Sequence, residues 1–170
     1  MKPIRLKLTH HLILGYGLYQ QMDCYRPHPA NYDEMIQFHK EDYIKFLQKI
    51  TPDNYTQFRA QSHKYNIGPH EDCPIFDGLY EFNQLLTGAS MDAAVQLCLQ
   101  ETDVAINWSG GMHHTKKAEA SGFCYVNGTY VCFRLHCHSK IFNLILFLWN
   151  SRNKMDLPTI HSLDIVLVIC

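Results

Sequence analysis

Two adjacent histidines, His113 and His114, follow two glycines and a methionine in the loop after Asn107. Imidazole titrates close to neutral pH, so a histidine side chain can take a proton from one group and deliver it to another. Gly110 and Gly111 allow the main chain to turn sharply and to approach a ligand closely. These residue types favour acid and base catalysis, although an isolated histidine pair is more often a surface or hydrogen-bonded feature of a loop.

A short apolar run from Asp103 to Trp108 precedes the histidines and lies between turn signals. Its composition predicts a strand that is buried on both faces in a parallel sheet. Ligands of open α/β sheets bind beyond the carboxyl ends of the strands, so the loop lies where a site is expected. Helical patterns followed by such a strand predict an α/β layered architecture.

The helices that would support this strand are predicted from apolar spacing. One amphipathic helix is expected over Leu8 to Met22, and a second follows a capping-box start at Asn31 and ends at Ile50. Residues 57–70 are predicted as a loop with a turn of helix, and residues 76–99 as two helices or one kinked helix. The apolar positions that define the first helix are Leu8, Leu12, Tyr16 and Tyr19.

Composition excludes several classes of protein. The chain has 170 residues, 46% of them hydrophobic, which excludes an intrinsically disordered protein. Its 15 basic and 16 acidic residues leave a net charge of −1, so we expect no direct binding to nucleic acid. Seven scattered cysteines predict a reducing compartment. We expect no signal peptide and no membrane span, because the apolar runs are too short to cross a bilayer.

Several motifs, taken in order, resemble class I zinc-dependent histone deacetylases. The string WSGGMHHTKKAEASGFCYVN, residues 108–127, is similar to the active-site signature of that family. The similarity extends back through HEDCPIFDGLYEF, HKEDYIKFL and GYGLYQQM to the start, MKPIRLKLTH. It covers residues 1–127 and leaves residues 128–170 as a divergent tail. The resemblance implies an α/β protein: the N-terminal portion of an arginase/deacetylase-like three-layer fold, with a parallel sheet flanked by helices, incomplete here.

The resemblance also implies a reaction and its proton-transfer groups. Family members hydrolyse the amide of acetyl-lysine with a zinc ion that activates water and polarises the acetyl carbonyl. His113 and His114 match the tandem histidines that transfer protons as the tetrahedral intermediate forms and collapses.

Four further residues match substrate-binding positions of the family. Asp72 matches a rim aspartate that binds the peptide backbone, and its alternative role is that of a turn residue before a proline. Phe123 matches one wall of the tunnel that holds the lysine chain and Gly122 the adjacent tunnel position, although Phe123 without the motif would be predicted in the core. Arg5 matches an arginine of the cavity that holds released acetate, and its alternative role is that of a solvated terminal charge.

The zinc ligands of the family lie beyond the resemblance, and none is assigned here. The later aspartates, Asp156 and Asp164, lie in segments without the family pattern, and the carboxylates that would orient the two histidines are missing as well. We therefore expect a truncated chain that binds no zinc and has little or no activity, and in which the strand ending at Trp108 lacks neighbours and leaves an unprotected edge. A tail cluster is spaced too tightly for a familiar structural zinc motif: Cys132, His136, Cys137 and His138.

Partners and location follow from the family only. The expected partners are acetylated histone tails and subunits of corepressor complexes. The expected location is the nucleus, with the cytoplasm as a second location. A rival prediction is a non-catalytic interaction module that binds corepressor-type partners, and Lys2 matches a basic position near an inositol phosphate site of the family. A third is a translation product that misfolds.

Overall fold

The structure, a computed structural model, describes residues 3–131 and the main chain of residues 165–168. A helical turn begins at residue 128. None of the helices in the described part of the chain has the length and apolar character needed to cross a membrane. The described elements are α1 (Pro3–Gly15), a 3-10 helix (Leu18–Gln21), β1 (Asp23–Tyr25), α2 (Tyr32–Met35), α3 (Glu41–Lys49), α4 (Arg59–Lys64), α5 (Leu79–Cys98), β2 (Val104–Asn107) and β3 (Ile165–Val168).

The three described strands form a parallel sheet in the order β1, β3, β2. The prediction of a strand in a parallel sheet over residues 103–108 is confirmed by β2, in which Val104 pairs with Ile165 and Asn107 with Val168. Two details of the prediction are wrong. Only Ala105 of β2 is buried, and β3 covers one edge of the strand that we expected to lack neighbours. No element was predicted at β3, because its continuous apolar run, residues 165–170, does not distinguish a strand from a buried helical segment.

Helix α1 begins and ends earlier than predicted, and it packs through a different face. Pro3 starts it, as proline often does because the first turn needs no amide donor. Gly17 then adopts the left-handed conformation (φ 66°) that leads into the 3-10 helix. The buried residue of α1 is Ile13, whereas Leu8 and Leu12 are 57% and 60% exposed. The expectation that these leucines define a packed face is therefore wrong for the described residues.

The second predicted helix is split in two. Asn31 forms the expected capping box with Glu34, but α2 then ends at Met35 after a single turn. Helix α3 begins at Glu41 and carries the apolar face that the spacing predicted. The main buried cluster includes residues of this face, the C-cap of α3 and the segment after α4: Tyr43, Ile44, Phe46, Leu47, Ile50, Tyr65 and Ile67.

Helix α5 is one continuous helix of 20 residues, and Gly88 does not interrupt it. A methyl group at Gly88 would lie 1.8 Å from the main-chain oxygen of His28, so glycine serves a close approach of the chain before α2. Hydrogen bonds from Ala30 N to Gln84 O and from Gln84 Nε2 to Ala30 O also hold this segment against α5. On another side, the small side chains of α5 pack against Ala105 of β2 and so connect the helix to the sheet.

Candidate active site

The loop that carries the histidines is fastened to α5 at its start. The side chain of Asn107, the last residue of β2, accepts a hydrogen bond from Ser109 N (3.0 Å) and donates to Ser90 Oγ (2.9 Å) and Leu86 O (3.2 Å). Gly110 N also donates to Asn107 O at 3.1 Å. The end of β2 is thus fixed to both the helix and the turn, which sets the direction in which the loop leaves the sheet.

Helix α1 reaches the same loop through His10. Its Nε2 lies 2.9 Å from Oγ of Ser109, which is 1% exposed. Burial lowers the pKa of His10, which favours the neutral ring. This contact holds α1, and with it Arg5 one and a half turns earlier, against the histidine loop.

The rings of His113 and His114 are in contact, with centroids 4.2 Å apart and planes inclined by 35°. His113 Nδ1 lies 2.8 Å from Gly111 O. A carbonyl oxygen only accepts, so Nδ1 carries the hydrogen and Nε2 of the neutral ring keeps its electron pair. A main-chain carbonyl therefore fixes the tautomer of His113. Within residues 3–131 no hydrogen bond reaches the ring of His114.

Gly122 leaves the space that the ring of His114 occupies. A methyl group at Gly122 would lie 2.8 Å from Cγ and 2.9 Å from Cβ of His114, and the residue has φ 51°. Both the close approach and the left-handed main chain favour glycine. The structure therefore places Gly122 in close contact with the second histidine.

Phe123 follows in the same turn and points outward. Its φ is 68°, which is unusual for a bulky side chain, and the residue is 53% exposed. Reciprocal main-chain hydrogen bonds between Ser121 and Cys124, at 3.1 and 2.9 Å, close the turn around it. The alternative prediction, that Phe123 belongs to the core, is wrong, whereas Cys124 is buried.

One cavity of about 520 Å³ brings most of the predicted site residues together. Four of the six lie in its lining, and His113 stacks on one of them. Arg5 is the charged side chain among the lining residues, so the cavity combines a fixed positive charge, an imidazole and apolar walls. The lining residues are Arg5, Leu6, Thr9, Gly110, Gly111, Met112, His114, Gly122, Phe123 and Cys124.

Asp72 is exposed and lies outside the lining of this cavity. Its loop is nonetheless tied to the turn that carries Phe123, because Tyr125 Oη donates to Pro74 O (2.5 Å) and Cys73 Sγ to Cys124 O (3.7 Å). Burial raises the pKa of Tyr125, and it raises that of Cys73 to about 11, so both groups stay protonated as donors.

Two buried residues near the loop have roles that the sequence analysis missed. His39 and Asn127 make hydrogen bonds to the main chain of residues 113–117 and to each other. Asn127 ends the quoted motif, and His39 begins another, but spacing alone does not pair residues so far apart in the chain.

The described residues do not fit a zinc site. Histone deacetylases are in general zinc-dependent, but no group of three or more His, Cys, Asp or Glu side chains that could hold a metal occurs within residues 3–131. The predictions for Asp156, Asp164 and the tail cluster of cysteines and histidines fall on residues that the structure does not describe, as does that for Lys2.

Comparison with known families identifies the class of protein. The sequence pattern of the family described as "Histone deacetylase domain" matches residues 1–146. The chain therefore belongs to the histone deacetylase domain family, which confirms the resemblance drawn from its motifs. The boundary of the divergent tail at residue 128 stays a prediction.

Individual relatives agree with this assignment. Histone deacetylase 1 of Homo sapiens is 58% identical over 127 residues, which are 75% of this chain and 26% of that protein. A histone deacetylase of Drosophila melanogaster is 56% identical over 75% of this chain and 24% of its own length. Histone deacetylase 9 of Arabidopsis thaliana is 55% identical over 75% of this chain and 29% of its own. The chain thus spans about a quarter of the length of the curated relatives it matches.

Proposed function

We propose that this chain supplies the histidine-bearing wall of a histone deacetylase active site, at which the amide of acetyl-lysine is hydrolysed to acetate and free lysine. The proposal rests on one observation: Arg5, His114, Gly122 and Phe123 line a single cavity of about 520 Å³. Arg5 lies more than a hundred residues from the other three, so their meeting reflects the fold and not proximity along the chain. The family membership of residues 1–146 supports the same chemistry.

His113 and His114 are the proposed proton-transfer groups. Hydrolysis of an amide removes a proton from the attacking water and delivers one to the leaving nitrogen. Because Nδ1 of His113 donates to Gly111 O, its Nε2 is the atom that can accept a proton. His114 lies in ring contact with it and lines the cavity, so both transfers can occur within one small volume. The described residues bring together no set of side chains that could hold the zinc of the family, so these roles are assigned to the chain's own groups alone.

The other predicted residues would bind the substrate and its acetyl group. Phe123 and Gly122 would line the aliphatic part of acetyl-lysine, since both residues line the cavity and the ring of Phe123 is exposed. Arg5 would attract the carboxylate of acetate. Asp72 would accept hydrogen bonds from the peptide backbone at the rim, a role that its exposure and its tethered loop permit.

The finer fold and the cellular setting belong to the same proposal. We infer an arginase/deacetylase-like arrangement in three layers, and the packing of α5 on Ala105 of β2 supports one helical layer on the sheet. Acetylated histone tails are the proposed substrates, corepressor subunits the proposed partners and the nucleus the proposed location. Zinc is the cofactor of the family, and we expect this chain by itself not to bind it.

Binding can be tested without turnover. Sodium acetate and an acetyl-lysine peptide are titrated into the 170-residue chain while amide shifts are followed by NMR. We expect shifts at His114, Gly122 and Phe123, and a weaker response to acetate in Arg5→Gln. The unacetylated peptide is the control for the ligand, and Lys45→Gln is the control for loss of an exposed positive charge. Equal responses to acetylated and unacetylated peptide would contradict the proposed site.

Turnover is the second test. The purified chain is incubated with a fluorogenic acetyl-lysine substrate and added zinc. We expect little or no product, because residues 3–131 contain no zinc site. Turnover that His114→Ala abolishes would refute the expected inactivity while supporting the role of the histidine.

A non-catalytic interaction module is the second candidate, and α1 is the feature that favours it. Ile4, Leu8, Leu12 and Leu14 are each more than half exposed, which is a large apolar surface for one helix. A pull-down with intact corepressor complexes tests this function, with a Leu8→Lys, Leu12→Lys double variant as the matched control. Failure of the unmodified chain to retain any complex counts against the module.

A further inference from the structure

Asn127 occupies a buried position from which its side chain reaches three parts of the main chain. The residue is 7% exposed. Its Nδ2 donates to His113 O and to Thr115 O, both at 3.1 Å. Its Oδ1 accepts from Tyr130 N at 3.0 Å, as the cap of the helical turn that begins at residue 128. Both carboxamide hydrogens and the oxygen are therefore used.

His39 holds the main chain of this asparagine. It is 3% exposed, its Nε2 accepts from Asn127 N at 2.9 Å, and its Nδ1 lies 3.3 Å from Lys117 O. An N–H faces one ring nitrogen and a carbonyl faces the other, so the tautomer is determined: Nδ1 carries the hydrogen. Burial lowers the pKa of His39 to about 4, which keeps the ring neutral and able to accept.

Together the two residues close the loop that carries the tandem histidines. The ring of His39 bonds to Lys117 O and to Asn127 N. The side chain of Asn127 in turn bonds to His113 O and Thr115 O. The ring bond from His113 Nδ1 to Gly111 O spans only two residues, so it depends on the conformation of the main chain at this point. Releasing His113 O would let that main chain move and would weaken the ring bond.

We propose that Asn127, held by His39, is a positioning residue that fixes the main chain at His113 and thereby selects the ring tautomer that leaves Nε2 free to accept a proton. The inference rests on the proposed function of the histidine, because a fixed acceptor matters where a proton is transferred. The geometry itself needs no substrate and no metal, so it can be examined in the chain alone.

The test is the protonation pattern of the imidazole rings, measured by long-range ¹H–¹⁵N correlation in the full chain at neutral pH. We expect His113 to carry its hydrogen on Nδ1, whereas the side chain of free histidine prefers the Nε2-protonated tautomer. Asn127→Asp has the same shape but donates nothing to His113 O. We therefore expect the Nε2-protonated tautomer of His113 to become more populated. Asn54→Asp is the matched control, because Asn54 also donates to one main-chain oxygen and accepts from one amide, away from the histidines.

A merely structural role would lower the melting temperature of Asn127→Asp without changing the ring. A folded Asn127→Asp whose His113 tautomer is unchanged overturns the proposal. If that variant does not fold, the test is the rate at which the carboxamide hydrogens of Asn127 exchange with solvent in the unmodified chain. We expect this rate to be about tenfold or more below the rate at Asn54. Equal rates overturn the proposal. Lack of response to acetyl-lysine peptide would contradict the proposed function and leave this result standing.

Discussion

The buried imidazole of His39 makes the stability of this protein depend on pH in a defined direction. The pKa of His39 lies near 4 in the folded chain, against 6.5 for the ordinary side chain, because the ring is 3% exposed and desolvation disfavours its charged form. Its ring neighbours are Phe38 and Tyr43, and its hydrogen-bond partners are main-chain groups. Among these described contacts, none supplies a negative charge that would offset the cost of protonation.

The sign and size of the effect follow from proton linkage. Between pH 4 and 6.5 the unfolded chain binds a proton at His39 that the folded chain does not, so the free energy of unfolding rises with pH across this window. The full contribution is present above pH 6.5 and is lost as the pH falls towards 4. A pKa near 4 in place of 6.5 corresponds to about 3 kcal/mol in total, at a slope of about 1.4 kcal/mol per pH unit.

Urea unfolding of the full chain at several pH values between 5 and 7 measures this slope. In His39→Gln the titrating ring is gone while a carboxamide oxygen can still accept from Asn127 N. We expect this variant to be less stable at pH 7, with a slope lower than that of the unmodified chain by about 1 kcal/mol per pH unit. His63→Gln is the control, because the side chain of His63 is 66% exposed. Identical slopes for the unmodified chain and His39→Gln would refute the reasoning.

Three further substitutions test the packing around the site. Gly122→Ala places a methyl group 2.8 Å from Cγ of His114, so we expect the ring of His114 to be displaced, which a changed ring-proton chemical shift would measure. Because alanine is strained in the left-handed conformation, we also expect the free energy of unfolding to fall by about 1–2 kcal/mol. In Gly88→Ala the added methyl group would lie 1.8 Å from the main-chain oxygen of His28. We expect urea unfolding to show a free energy of unfolding lower by about 3 kcal/mol. Tyr125→Phe removes the donor to Pro74 O; we expect a loss of about 1–2 kcal/mol and faster amide exchange in the loop that contains it.

Local sequence signals predicted those elements whose cause is local. The capping box at Asn31 depends on residues three apart, and the apolar face of α3 on positions one turn apart, and both are present. The first helix shows the limit of such signals. Its leucines have helical spacing, but which side of a helix is buried depends on what packs against it, and Leu8 and Leu12 have no cover in the described part of the chain.

The site was predicted as a set of residues but not as a geometry. The motif identified His113, Gly122 and Phe123, because their types and order are read directly from the chain. It did not reveal that Gly111 O fixes the tautomer of His113, or that glycine at 122 makes room for the neighbouring ring. Each of these is a contact of a few ångströms, and spacing along the chain does not contain such distances.

By itself the amino-acid sequence determined the family, the histidine pair with its glycine-rich approach, and the strand that leads to it, because each is encoded by neighbouring residues. Tertiary structure alone decided that Arg5 meets this loop and that His39 joins Asn127 in closing it, since Arg5 lies more than 100 positions from the loop and His39 lies 88 positions from Asn127. Hydrogen bonds and close packing act over about 3–4 Å in space whatever the separation in sequence. Only the folded chain brings such distant groups within that range.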